Sequence, residues 1–464
     1  MGGSELSGRK VTVVGLARSG VAAARLCARE GAAVTVTDRR TEAELAGPLQ
    51  ALPGGVRRRL GGHDLADFEG ADLVVISPGV PMANPEIQAA RRRGVPVWGE
   101  VELGFRQLGP GATVVGITGT NGKSTTTALA GALLAADRPT FVGGNLGTPL
   151  CEHLLSGARA AALVLELSSF QLEGIERFRA HVGAVLNVTP DHLDRYPGVE
   201  AYAAAKARLF ETQQPGDFAV ANLRDDRAMA MAGASRGDRY EFGFGPPGEA
   251  SARDPGGEPG PAGSEIWFTR RSRGPERFLL RNRALRGRHN RENAMAAVIC
   301  ARLLGVPGPS VQEGLDRFPG LPHRLELVAE RGGVEWVNDS KATNVDSTAV
   351  GLAAFPAAGV PRVVLIMGGR GKRAPYAPLR PLFAGRVKAL LTIGDDAPRV
   401  EAELGDLCPT EPCRTLAEAV KRAAGLTSPG EVVLLSPACA SYDQFSSYEH
   451  RGEVFRRLAT EHAR

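Results

Sequence analysis

Short apolar runs alternate with amphipathic, alanine-rich stretches along most of this chain. In the first hundred residues the runs Lys10–Val14, Ala33–Thr37 and Asp72–Ser77 read as strands and Val21–Arg29 as a helix. A second series starts near Gly111 and contains Leu163–Leu167, Val182–Val188 and a helical pattern over Ala201–Phe210. The pattern Asn290–Leu304, also helical, closes it. A third begins near Leu321, with strand runs Glu335–Asn338, Val363–Met367, Ala389–Ile393 and Val432–Ser436 and helices between them. Strand and helix in steady alternation predict α/β units with largely parallel sheets, three in a row. The Gly/Pro/Arg-rich stretch 243–275 breaks the rhythm. It reads as a mobile surface insertion, with Ile266–Thr269 a possible edge strand inside it.

The sharpest local pattern is Val114 to Thr127. An apolar run ends in Gly119-Thr120-Asn121-Gly122, Lys123-Ser124-Thr125 follows, and a helical pattern begins. Glycines let backbone N–H groups approach phosphates, the lysine answers the β/γ charge, and the next hydroxyl can ligate Mg²⁺. This predicts ATP or GTP. The usual upstream glycine is displaced by one residue: Ile117 holds its place and Gly116 precedes it. Phosphoryl transfer also needs metal ligands. Glu166 closes an apolar strand, where a carboxylate is costly without a cation. Asp191, His192 and Asp194 cluster after Val182–Val188. Lys206, by composition, reads as a surface helix lysine.

Other strand ends carry candidates too. Gly15–Gly20 is a GxGxxG-like turn and Asp38, at the next strand's end, stands where a ribose would be bound; Ser77-Pro78-Gly79 is a further turn of this kind. Asn338–Asn344, Gly368–Lys372 and Ser436–Asp443 end three strands in small or cationic residues, a candidate grip for a carboxylate substrate.

Composition narrows the class. At 464 residues, 43% hydrophobic and 23% charged, the chain reads as a soluble protein of about three domains. The net charge of +5 suits anionic substrates. With aromatics at 5%, no basic face with interleaved aromatics is expected, and so no nucleic-acid binding. Six cysteines without a CxxC pair read as reduced thiols. No leader or membrane-spanning run is evident, so a cytoplasmic protein is expected.

The motifs TGTNGKST (118–125), LELSSFQLE (165–173), NVTPDHLDRY (187–196), HNRENAMAA (289–297), LPHRLE (321–326), NDSKATN (338–344) and SPACASYDQF (436–445) resemble, in order, those of the Mur ligases of peptidoglycan synthesis. They look most like the branch that adds D-glutamate to UDP-N-acetylmuramoyl-L-alanine. The resemblance implies an N-terminal Rossmann-like domain for the UDP-sugar (1–101), a central P-loop ATPase-like domain (102–320) and a C-terminal Rossmann-like domain for the amino acid (321–464). It implies activation of a carboxylate by ATP as an acyl phosphate, followed by amide formation.

Residue by residue, it implies phosphate contacts from Gly119, Thr120, Asn121, Gly122, Lys123, Ser124 and Thr125. Two Mg²⁺ ions would be held by Ser124, Glu166, His192 and Lys206, the last carbamylated by CO₂. Asn290 and Asn293 would read adenine, and Arg324 and Asp339 would reach phosphate and ribose. Leu16, Ala17, Asp38, Arg40, Ser77 and Asn145 would meet the UDP substrate. Thr343, Lys372, Ser441 and Tyr448 would hold D-glutamate. Family members commonly have phenylalanine at the place of Tyr448 and an acidic or small residue at that of Arg370. A monomer is expected. A sister ligase adding another amino acid or a dipeptide is the alternative; no Asp-Asn-Pro-Arg signature of a diaminopimelate-adding member is present. A dehydrogenase would leave the phosphate loop and the Glu166/His192 cluster unused.

Overall fold

The computed structural model describes residues 5–109, 111–255, 264–271, 273–357 and 359–462. It contains three sheets. In the first, β1 (Lys10–Val14), β2 (Ala33–Asp38), β3 (Arg57–Leu60), β4 (Leu73–Ile76) and β5 (Val97–Gly99) lie in the order 3-2-1-4-5, all parallel. Strand order reverses at β1, so the crevice between the turns after β1 and β4 is where such a sheet binds ligands.

The second sheet has nine strands: β6 (Thr113–Thr118), β7 (Thr140–Gly144), β8 (Ala162–Glu166), β9 (Val182–Val185), β10 (Phe218–Asn222), β11 (Asp238–Phe244), β12 (Ser251–Asp254), β13 (Ser264–Thr269) and β14 (Glu276–Leu280). Their order is 14-13-12-11-10-9-6-8-7, parallel from β7 through β12, with β13 antiparallel to β12. The third holds β15 (Glu326–Arg331), β16 (Val334–Asn338), β17 (Val363–Gly368), β18 (Val387–Ile393), β19 (Thr410–Arg414) and β20 (Val432–Leu435), in the order 15-16-20-17-18-19. Only the β15–β16 hairpin is antiparallel there. The fold class is the expected one, α/β with parallel-rich sheets.

Packing divides the chain into two compact units. One runs to Pro255 and takes back Glu265–Phe278 and Glu292–Gly314; the other holds Leu279–Arg291 and the chain from Leu315 onward. The first two sheets share one unit because the helix Glu100–Arg106 serves both cores. Val101 packs into the cluster with Val114, Leu150 and Leu163, and Leu103 into that with Leu16, Leu26 and Cys151. The expected boundary at 101/102 falls inside that helix.

The stretch 243–275 needs correction. Its ends form β12 and β13, which continue the central sheet, and Ile266 and Phe268 are buried. β13 has β12 and β14 on its two sides, so it is no edge strand. Glycine and proline dominate the composition, but the inward alternation of Ile266 and Phe268 decides the structure. The Gly/Pro-dense centre, 256–263, and with it the expected mobility, lies outside the described residues. Smaller shifts occur at element ends. The strand expected to reach Val188 stops at Val185, and the helix before Phe210 closes in a 3₁₀ turn, Arg208–Phe210.

Candidate active site

β6 is an interior strand, paired with β8 on one side and β9 on the other. Its carboxyl end runs through residues 119–122 into the helix Lys123–Ala135. Gly119 (φ 155°) and Gly122 (φ 86°) hold backbone conformations that side chains resist, and a Cβ on Gly122 would stand 2.3 Å from Asn293 Oδ1. Gly116, the displaced glycine, has another cause: a Cβ there would meet Leu209 at 2.7 Å, so it serves packing beneath the loop. Lys123 Nζ curls over the loop and donates to Gly119 O (2.9 Å) and Thr120 O (2.7 Å). Ser124 is buried at the helix start, with Thr125 half-buried beside it. Asn293 Oδ1 accepts from Thr126 Oγ1 (3.1 Å), which sets this expected adenine reader against the loop wall.

A second loop clasps the first. Asn187 Oδ1 accepts from Asn121 N (2.8 Å) while its Nδ2 donates to Asn121 O (3.1 Å). Thr120 Oγ1 accepts from Thr189 N (3.0 Å) and donates to Thr189 O (3.1 Å). Asn187 is not among the expected site residues, although its place after a strand, four residues before Asp191 of the Asp-His pair, is a usable signal.

Glu166 ends β8 opposite Ile117 and is 3% exposed. One oxygen accepts from Asn145 Nδ2 (2.7 Å); the other, Oε2, is buried with no hydrogen-bond partner among the described residues. A buried carboxylate oxygen left open suits a cation. Lys206 corrects the compositional reading as a surface lysine: it is 1% exposed. Nζ donates to Gly119 O (3.0 Å), lies 3.4 Å from Thr118 Oγ1 and sits 4.4 Å from the centre of the Tyr202 ring. Burial, aided by the Lys123 charge, pushes its ammonium down to about 7.

His192 is exposed, in a left-handed conformation (φ 52°), with its ring 4.8 Å from that of Phe170 and 6.1 Å from that of Tyr202. Among the described residues no three His, Cys, Asp or Glu side chains gather as a ready metal cage.

At the first sheet, Leu16, Ala17 and Arg40 line a pocket of about 420 Å³ together with Arg25 and Pro48. Asp38 stands behind its wall. Its carboxylate accepts from Leu16 N (2.8 Å) and from Arg40 N (3.0 Å), Nε (3.1 Å) and Nη2 (2.8 Å). Burial opposes its charge, yet these donors outweigh it and hold the carboxyl down at about 2. Ser77 also works from behind, donating Oγ to Gly15 O (2.7 Å) and so fixing the turn.

In the other unit, Asp339 is buried. Oδ2 accepts from Ser436 Oγ (2.8 Å) and Oδ1 from Leu325 N (3.3 Å), and burial raises the carboxyl to about 7. In this arrangement it braces the loop that carries Arg324, instead of offering free oxygens to a ribose. Flanking that arginine, His323 (φ 63°) and Leu325 (φ 45°) are both left-handed, and Arg324 Nε is buried with no hydrogen-bond partner among the described residues, a donor suited to a phosphate. Asn290 donates Nδ2 to Arg286 O (3.0 Å). Ser441 is buried, Thr343 half-buried and Lys372 exposed. Tyr448 opens the helix Tyr448–His462, with Lys341 Nζ 5.4 Å from its ring centre.

Three family models match in chain order: Mur ligase MurD-like, N-terminal domain, over residues 9–99; Mur ligase middle domain over 117–301; and Mur ligase, glutamate ligase domain, over 323–439. A protein of Anaeromyxobacter dehalogenans named UDP-N-acetylmuramoylalanine--D-glutamate ligase is 79% identical over 100% of both chains. One of the same name from Myxococcus xanthus is 52% identical over 98% of both. Among solved structures, UDP-N-acetylmuramate-alanine ligase from Thermotoga maritima superposes with a TM-score of 0.57 at 20% identity, over 98% of each chain, and shares the fold.

Proposed function

The chain belongs to the Mur ligase family, and from that premise we propose that it joins D-glutamate to UDP-N-acetylmuramoyl-L-alanine, converting ATP to ADP and phosphate. It is an amide-forming ligase of peptidoglycan precursor synthesis. The identity of the amino acid rests on the full-length likeness to two proteins that carry that activity in their names. One structural observation carries the chemistry: Lys206 and Lys123 both donate to Gly119 O of the phosphate loop.

The division of labour follows the three regions. Residues 1–101 receive the UDP-sugar through Leu16, Ala17 and Arg40, with Asp38 and Ser77 bracing that wall, and Asn145 meets the substrate further along. Residues 102–320 hold ATP, and residues 321–464 hold D-glutamate through Thr343, Lys372, Ser441 and Tyr448. Asn290 and Asn293 are assigned to adenine and Arg324 to phosphate, while Asp339 braces the loop that carries Arg324.

A carboxylate is a poor acyl donor until one of its oxygens becomes part of a good leaving group. Its oxygen attacks the γ-phosphorus and ADP departs. The amine of D-glutamate then attacks the carbonyl carbon, phosphate leaves, and the nitrogen loses a proton. The loop N–H groups and Lys123 bear the phosphate charge through this sequence. Magnesium, when bound, offsets the remaining negative charge; Ser124, the open oxygen of Glu166, His192 and a carbamylated Lys206 are the residues that would hold it. Carbamylation joins the neutral Lys206 amine to CO₂ with loss of a proton; counting the proton the ammonium gives up first, two protons leave and a buried cation becomes an anionic ligand. We place the enzyme in the cytoplasm, as a monomer; among the described residues no helix is long and apolar enough to cross a membrane.

The test is phosphate release by the purified chain across UDP-muramoyl acceptors and amino acids. Release that needs both UDP-N-acetylmuramoyl-L-alanine and D-glutamate is expected. Activity with L-alanine or diaminopimelate but not D-glutamate would replace this reading with that of a sister ligase.

A further inference from the structure

Arg451 lies in the first turn of the helix Tyr448–His462, three residues after Tyr448 and outside every motif singled out above. Its side chain is 1% exposed, and its guanidinium meets three strand-end loops. After β16, Nε donates to Ser340 Oγ (2.9 Å) and Nη2 to Ser340 O (2.8 Å). After β20, Nη1 donates to Cys439 O (3.1 Å). After β17, the backbone comes so near that a Cβ on Gly369 would stand 3.3 Å from Nη1. Ser340 Oγ extends the chain of contacts by donating to Tyr448 O (2.8 Å). Arg370 and Ala440 exchange backbone hydrogen bonds (2.9 and 3.0 Å), which ties the second and third loops together.

All three acceptors are neutral, and among the described residues Arg451 forms no ion pair. Burial disfavours this cation, and the carboxylate that acts on it, Asp443, does so at a distance without a hydrogen bond. A neutral amide side chain could have pinned carbonyls without that cost. The three loops are those that carry Thr343, Lys372 and Ser441, and Tyr448 begins the helix that supplies the guanidinium.

Resting on the reading that this unit receives D-glutamate, we propose that Arg451 is a positioning residue for the incoming amino acid. It locks the three loops in register, and its buried charge, engaged in no ion pair among the described residues, biases them toward a ligand with two carboxylates. Arg451 does not touch the ligand; it acts through Ser340, Cys439 and Tyr448.

The test uses the full-length chain with R451Q, R451K and S340A, and measures kcat, the three substrate KM values and the thermal midpoint. R451Q is expected to raise the KM for D-glutamate by ~10-fold or more, while those for ATP and the UDP substrate stay within ~2-fold. R451K keeps the charge with fewer hydrogen bonds and should fall between wild type and R451Q. S340A removes the Oγ that accepts from Arg451 Nε and donates to Tyr448 O but leaves the Arg451 bonds to Ser340 O and Cys439 O, and it should raise the same KM by ~3-fold. An unmoved D-glutamate KM in R451Q overturns the proposal. So does a uniform rise of all three KM values with a lowered thermal midpoint, the mark of a merely structural role. If R451Q does not accumulate, R451K and S340A decide, and an unmoved D-glutamate KM in both overturns it. Wild-type chain without D-glutamate-dependent phosphate release would overturn this proposal and the parent reading together; wild-type activity with unmoved variants overturns this one alone.

Discussion

The phosphate loop after β6 and the loop cluster after β16, β17 and β20 solve the same problem in opposite ways. Both stand at the carboxyl ends of parallel strands, where such sheets bind ligands. The first is one contiguous segment. Gly119 and Gly122 supply the backbone conformations, Lys123 the charge and Ser124 the hydroxyl, with Asn187 and Thr189 clasping from one neighbouring loop. The second has no contiguous motif. Three loops distant in sequence are brought to one guanidinium, that of Arg451, donated by a helix that follows them all. A local site is written in adjacent residues and an assembled site in its hub, so the two should fail differently when cut.

Lys123→Ala should give the largest loss, ~10³-fold or more in D-glutamate-dependent ADP release, because a charge acting on the transferring phosphate disappears. Near-normal turnover would remove the phosphate loop from the account. Lys206→Ala should follow, with a loss of ~10²-fold. Short carboxylic acids added to the assay should restore part of it by supplying the missing anionic ligand, and a complete lack of rescue would argue against carbamylation. Next comes Asn187→Ala, which cuts both hydrogen bonds to Asn121. It should lower kcat by ~10-fold, since the loop loses its alignment but keeps its chemistry. An effect confined to the KM for D-glutamate would blur the contrast between the two regions.

How much was legible follows from the same contrast. Gly119, Gly122 and Lys123 could be read directly because backbone geometry and charge leave few other residues possible there. Lys206 could not. The helix Val199–Ala207 carries alanine on several faces, so no polar side marks where water begins, and a lysine in it passes for a surface residue. Arg451 was hidden in another way, among Glu449, His450, Glu453 and Arg456, where it looks like one more charge on a solvated helix. Its burial comes from tertiary packing against strand-end loops at Ser340, Gly369 and Cys439, the first of them 111 residues upstream. At β12 and β13, glycine and proline content outweighed the Ile266/Phe268 alternation in the reading, although that alternation was in plain sight. Asp38 was placed correctly at its strand end, but its partners Leu16 N and Arg40 follow from the folded turn alone.

The smallest expected effect sharpens the comparison at the pocket of the first sheet. Asp38 titrates near 2, below its ordinary 3.8, so its pairing with Arg40 and Leu16 N stabilises the fold fully above pH ~4. That contribution is lost as the pH falls toward 2. It amounts to about 1 kcal/mol, because the Arg40 side of the pair is 45% exposed and screened by water. The stability difference between wild type and Asp38→Asn in urea unfolding should therefore shrink as the pH drops from ~4 to ~2. A difference that stays constant over this range would mean the carboxyl is not held ionised by these donors.

The central claim is that the phosphate goes to a carboxylate. UDP-N-acetylmuramoyl-L-alanine labelled with ¹⁸O in its alanyl carboxylate tests this most directly. After complete turnover with ATP and D-glutamate in unlabelled water, one ¹⁸O should appear in each released phosphate and the other should stay in the product amide. Phosphate free of label, with turnover intact, would contradict the account.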